Sequence, residues 1–216
     1  CVRSRVGEER GGQRRKRKAR GRSGESAGNW RGGGRGLDSL GLREVARESS
    51  LAATSLYNHF PDMEALGLAL IDSCCFRLRS AMEYERRSMI EIGAAQAVQE
   101  LVGRFTRYIA ENGNDFRLLV QQRLGSHDRY RLRIQRELQL LVDELAEDVR
   151  QAVASQGRAQ VPAEQEAHAA IAIMFGAGIS MLDSSPAARR VLADHACLQL
   201  EMMALGGRQM AVGNRL

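Results

Sequence analysis

LREVARESSLAATSLYNHFPDMEAL, residues 42–66, decides how this chain is read. Leu42, Val45 and Ala46 fall on one helical face and Arg43, Glu44, Arg47 and Glu48 on the other, which predicts an amphipathic helix of about two turns. After Ser49, Ser50 and Leu51 a second short helix is expected. In it Leu56 and Phe60, four apart, pack inward, and Thr54, Ser55, Tyr57, Asn58 and His59 share the remaining faces. None of those outward groups is acidic. Hydroxyls, an amide and an imidazole can approach phosphates and base edges, and two short helices about a tight turn are the arrangement that presents them to a DNA groove. Pro61 and Asp62 then end this helix and begin the next. Proline disfavours helical geometry in the residue before it, and Asp62 is a good N-cap with Glu64 in the following first turn.

Outward from this stretch the helical period persists. Leu66, Leu70, Cys74, Leu78 and Met82 are spaced by four; Val98, Leu101, Phe105 and Ile109 follow, then Leu138, Leu141, Leu145 and Val149, and no alternating strand pattern competes. The three prolines, Pro61, Pro162 and Pro186, each fall where one helix should end and another begin. The expected helices are 62–88, 94–112, 114–124, 128–156, 163–183 and 186–210, and the fold class is all-α.

Several chemistries find no support. The histidines at 59, 127, 168 and 195 form no nucleophile, base and orienting set and no metal spacing. His195 and Cys197, two apart, point to diverging sides of a helix. No catalytic residue, metal or cofactor is therefore expected. Four cysteines, with Cys74 and Cys75 adjacent, make no disulfide framework, which points to a reducing cytoplasm and to packing as the role of that pair. No run of eighteen apolar residues exists to span a membrane.

At this point the residues resemble the TetR family of one-component bacterial regulators, whose DNA-binding segment typically reads LxxVAxxAGVxxxTLYxHFxxKxxL. The match falls at Leu42, Val45, Ala46, Leu56, Tyr57, His59, Phe60 and Leu66. Three details depart from it: Ser50 stands at the turn glycine, Gly41 at the usual hydroxyl cap, and Met63 at the usual lysine. A non-glycine residue where a turn wants positive φ costs ~1 kcal/mol, and glycine for a hydroxyl cap a few tenths. Downstream, GLALIDSCCFRLRSAM and DFRLLVQQRLGSHDRYRLRIQRELQLLVDELAEDV are similar to the branch that represses unsaturated fatty-acid synthesis, the FabR and DesT type. The likeness runs from about Ser39 to about Met210.

The resemblance implies three segments: 1–36, basic; 37–66, a helix-turn-helix DNA-binding domain whose first helix is degenerate or missing; and 67–216, a helical effector-binding and dimerisation domain. It implies a repressor that binds a palindromic double-stranded DNA operator as a homodimer and responds to a long-chain acyl thioester, acyl-CoA or acyl carrier protein. Arg43, Thr54, Ser55, Tyr57, Asn58 and His59 would contact DNA, and ligand would shift helix 62–88 and so the spacing of the recognition helices.

An acyl tail needs an elongated apolar cavity. Phe76, Phe105, Phe116, Leu119, Val120, Ile134 and Met174 are the candidates to line it, although such a set at helical spacing is also what a plain core looks like. Arg123, with Arg129, Arg131 and Arg133 nearby, would meet the carrier's phosphates, or be a solvated face. Gln122 and Leu124 stand where the branch often has Glu and Ser, so the ligand stays open and another small hydrophobic effector is a second reading. On the last two helices, Ile171, Met174, Gly178 and Met181, and Leu192, Cys197, Leu200 and Met203, read as intrachain core from their spacing. By resemblance these helices build a four-helix dimer interface.

Residues 1–36 differ from all the rest. They hold twelve Arg or Lys against three Glu, whereas the remaining 180 residues hold twenty basic and twenty-three acidic groups, so the formal +6 of the chain comes from this segment. Rich in Gly, Arg and Ser, it lacks the apolar surface needed to offset ordering and is expected to be disordered. No apolar helical pattern precedes Leu37, where the family places a first helix. A mistranslated or misplaced gene start accounts for this. So does a genuine basic arm, with RRKRKAR at Arg14–Arg20 gripping phosphates without sequence preference, or an inert tail. A competing function follows: a ligand-sensing dimer of the same fold that has lost sequence-specific DNA binding.

Overall fold

The computed structural model describes residues 60–92, 94–155 and 162–213. The basic segment 1–36 and the DNA-contact set Arg43, Thr54, Ser55, Tyr57, Asn58 and His59 lie outside the described residues. Among the described residues there are five helices and no strand: α1 (Met63–Ile92), α2 (Ala94–Leu124), α3 (Asp128–Ser155), α4 (Ala163–Met181) and α5 (Pro186–Gly213).

Three of the helices start where the sequence supplies a start. Asp62 Oδ1 accepts the N–H of Ala65 at 2.7 Å, capping α1. Pro162 precedes α4, and Pro186 opens α5 with Ser185 Oγ accepting the N–H of Ala188 at 3.3 Å. The four-spaced row Leu66, Leu70, Cys74, Leu78 and Met82 is buried along α1, joined by Ile71 and Cys75. At 30 residues, α1 is ~45 Å long.

The expected pair 94–112 and 114–124 is one element. α2 continues through the polar stretch Asn112–Gly113–Asn114 and bends at Asn112, whose φ of −126° and ψ of 32° are not helical. Phe105, Tyr108 and Ile109 before the bend and Phe116 and Leu119 after it are buried in the same core, so packing on both sides holds the two halves together despite weak local propensity.

α1 packs on α2 and α3, α4 packs on α2, α3 and α5, and α5 returns against α2. Ile134 and Tyr130 of α3 and Met174, Gly178 and Met181 of α4 complete the core. Met174, Gly178, Met181 and Leu200 thus face inward, as intrachain core.

Candidate functional site

The base of α1 is fastened to the base of α3. Tyr130 lies against Gly67, where any Cβ would overlap the phenol ring, and its hydroxyl donates to the carbonyl of Met63 at 3.2 Å. His127 stacks on Tyr130 with ring centroids 3.9 Å apart, and its Nε2 lies 3.5 Å from Glu64 Oε2, while Arg129 pairs with the same carboxylate. Further along, Arg133 Nε donates to Asp72 at 2.6 Å and Arg79 Nη1 to Glu137 at 3.3 Å. α1 is therefore tied to α3 over several turns.

A chain of rings fills the middle of the helical core. Phe105 meets Phe116 edge-on at 5.7 Å between centroids, Phe116 meets Phe175 at 5.1 Å, and the Arg123 guanidinium sits over Phe175 at 5.3 Å. Gly178 makes this packing possible, since a Cβ there would stand 2.7 Å from Phe116 Cζ and 2.8 Å from Phe105 Cζ. Leu119 and Met174 are buried in the same core. The rings pack directly on one another and fill this part of the core.

Between α1 and α2 lies a half-buried polar group. Arg77 spans the seam, donating from Nε to Asp115 Oδ2 at 2.6 Å, from Nη1 to Ser73 Oγ at 2.8 Å and from Nη2 to Cys74 Sγ at 3.5 Å. Burial, then the Asp115 carboxylate, pushes the Cys74 thiol up to about 12; burial, then Glu137, does the same for Cys75. Both stay protonated thiols near neutrality and behave as packing groups. Tyr108, 3 % exposed, carries a hydroxyl with no hydrogen-bond partner. Burial, then Asp115, raises its phenol above the usual range. Among the described residues no group of three or more His, Cys, Asp and Glu could hold a metal ion, and no helix is long and apolar enough to cross a membrane.

The proposed lining divides. Phe105, Phe116, Leu119, Ile134 and Met174 are brought together in the core, and Val120 is half-buried at its edge. Phe76 is not part of it: at 67 % exposed it points to solvent. Cys75 and Leu78 take the inward positions, and Phe76 lies about 100° further round the helix from Cys75. Arg123 is exposed, at the outer end of the ring chain rather than inside it. Its neighbours are committed to carboxylates, Arg129 to Glu64, Arg131 to Asp128 and Arg133 to Asp72.

Three residues were missed. Phe175 links Arg123 to the core, Tyr108 brings a buried hydroxyl, and Gln122, which entered the reading only as a departure from a motif, is 3 % exposed with an unpartnered Oε1. The helical period carried a signal for Tyr108, which is one turn beyond Phe105.

Residues 33–70 match the model of the family described as bacterial regulatory proteins, tetR family. The chain is similar in structure to a protein from Syntrophomonas wolfei assigned to the TetR-family transcriptional regulators, with 12 % identity, 88 % of this chain and 96 % of that one covered, and a TM-score of 0.67. It is similar to the fatty acid degradation regulator FadR from Bacillus halodurans, with 13 % identity, coverage of 86 % and 94 %, and a TM-score of 0.64. It is also similar to Thermus thermophilus FadR, a TetR-family repressor in complex with lauroyl-CoA, with 19 % identity, coverage of 86 % and 93 %, and a TM-score of 0.61. At these identities the likeness is one of fold, and the fold of this chain is the all-helical TetR type.

Proposed function

We propose that this chain is a TetR-type transcription regulator that binds a palindromic operator as a homodimer and releases or grips it in response to a long-chain acyl thioester. The observation that carries the reading is continuity. The segment matching the tetR family model ends inside α1, and α1 runs on into the domain that holds the ring chain. Arg43, Thr54, Ser55, Tyr57, Asn58 and His59 are assigned to base edges and phosphates.

Dimerisation is assigned to the outer face of α4 and α5. Val191, Leu198, Met202 and Leu205, spaced by seven, four and three on α5, are each more than half exposed, and Ile179 of α4 is 44 % exposed. That row is apolar surface of the kind that a second copy covers. The acyl effector is supported by the apolar ring chain, by Arg123 at its rim with no carboxylate partner, and by the lauroyl-CoA in one neighbour of the same fold. Control of unsaturated fatty-acid genes rests on the sequence resemblance. A regulator of another small hydrophobic ligand would use the same apolar ring chain.

The experiment is selection of binding sites from random duplex DNA by the full chain, followed by titration of the enriched duplex with lauroyl-CoA and oleoyl-CoA. The proposal expects an inverted repeat with half-sites about one helical turn apart, and an affinity changed roughly 5- to 150-fold by one acyl-CoA. Binding that is indifferent to sequence and lost with added salt would favour the second reading, a ligand-sensing dimer without an operator, toward which the basic composition of residues 1–36 points.

A further inference from the structure

We infer that the α1–α2 seam holds a subsite for one neutral, hydrogen-bond-accepting oxygen of the effector, with the Tyr108 hydroxyl as its donor. The inference rests on the effector reading above and adds the polar chemistry that an apolar ring chain lacks.

A buried hydroxyl without a partner is costly, and native cores rarely keep one without a use. Tyr108 is almost fully buried and its Oη makes no hydrogen bond. The ionisable groups around it are Cys74, Cys75 and Arg77 from α1 and Asp115 from α2. Arg77 and Asp115 are already closed on each other, and the remaining arms of Arg77 go to Ser73 and Cys74. The Arg77–Asp115 pair is thus neutral in sum, and the Tyr108 hydroxyl is left without a hydrogen-bond partner.

Charge decides the class of guest. An anionic group would add an uncompensated negative charge beside Asp115, because the guanidinium that might answer it is spent. A carbonyl, hydroxyl or ether oxygen completes the phenol at no such cost. The place also fits an effector that enters past Arg123. From Arg123 the contacts step inward through Phe175 and Phe116 to Phe105, and Tyr108 lies on α2 between those last two rings, one turn from Phe105. α2 bends just beyond it, where Asn112 Nδ2 donates to the Tyr108 carbonyl at 3.4 Å.

Such an oxygen comes either from the thioester carbonyl or from an oxygenated chain. Calorimetric titration of the full-length wild type and Tyr108→Phe with three probes separates them: lauroyl-CoA, its carbonyl-free thioether analogue S-dodecyl-CoA, and 12-hydroxylauroyl-CoA. The wild type should favour lauroyl-CoA over the thioether, or the hydroxylated chain over the plain one, by about five- to tenfold, and Tyr108→Phe should erase that preference alone. The unliganded variant should melt at the same temperature as the wild type or above it, since it loses an unpaired polar group. Unchanged ratios in both pairs, or a lower melting temperature in the variant, overturn the subsite. If the wild type binds none of the three probes, the acyl-thioester reading fails and the subsite falls with it, an outcome distinct from binding without discrimination.

Discussion

Where α1 meets α3, charged and polar side chains reach across the gap: Arg133 to Asp72, Arg79 to Glu137, Arg129 to Glu64, and the Tyr130 hydroxyl to the backbone of Met63. Where α2 meets α4, Phe105 and Phe116 lie on Gly178, and Phe175 lies on Phe116. Directional contacts fix one helix's register on another, whereas ring packing is driven by area and admits more than one arrangement. The contrast teaches a division of labour. Under the proposed function, a ligand that displaced the rings would act on the adaptable contact, and the stitched contact would carry the resulting shift along α1 toward its N-terminal end. In stability, the ring contact should be the costly one to damage and the stitched one the cheap one.

The largest expected effect is at Phe116, the biggest side chain among those fully buried. Phe116→Ala should destabilise the domain by roughly 3–5 kcal/mol, read as a lower urea midpoint at unchanged slope. A loss below about 1 kcal/mol would mean that Phe105 and Phe175 close over the gap, and that the ring chain is looser than its packing implies.

Next comes Gly178→Ala. Its new Cβ must push on two phenyl rings at once, and overpacking of that kind costs about 1–3 kcal/mol. The same wedge opens the ring chain, so the variant should bind lauroyl-CoA differently from the wild type in calorimetric titration while remaining helical by circular dichroism. Equal binding would separate Gly178 from the effector path.

On the stitched side the steps are smaller. Tyr130→Phe removes the hydrogen bond to the Met63 carbonyl and keeps the ring on Gly67, so about 0.5–1.5 kcal/mol is expected from urea unfolding. In an operator-binding assay the variant should also narrow the gap between liganded and free affinities, because the base of α1 then follows α3 less faithfully. An unchanged gap would remove Tyr130 from the coupling.

These particulars also show how far the chain could be read in advance. The helices were legible because apolar residues recur every fourth position, as from Leu66 to Met82, and because Asp62, Pro162 and Pro186 mark starts. The single α2 was not, since Asn112–Gly113–Asn114 reads locally as a break and only burial on both sides of the bend keeps the helix continuous. Burial of the proposed lining was legible to one turn but not to one residue. Phe76 was chosen for size over Cys75, and Arg123 for charge over Gln122, yet in each pair a rotation of about 100° puts the second residue inside. Phe175 was hidden among Ala and Gly, where the stretch reads as a close-packing surface rather than a ring's place.

The smallest effect is expected from the Arg133–Asp72 pair, and it tests the comparison most sharply. The 2.6 Å contact looks strong, but the side chains are 39 % and 45 % exposed, and water screens pairs at that exposure. Arg133 also reaches Glu137 at 3.6 Å, so a single substitution disturbs two contacts, and the pair must be isolated by a cycle of Arg133→Met, Asp72→Asn and the double variant. The coupling should come out at ~0–1 kcal/mol and shrink as salt is raised from low to molar concentration. A salt-insensitive coupling well above that range would mean that the α1–α3 seam stabilises the fold as well as setting its register, and the division between a structural ring chain and a positional polar seam would have to be redrawn.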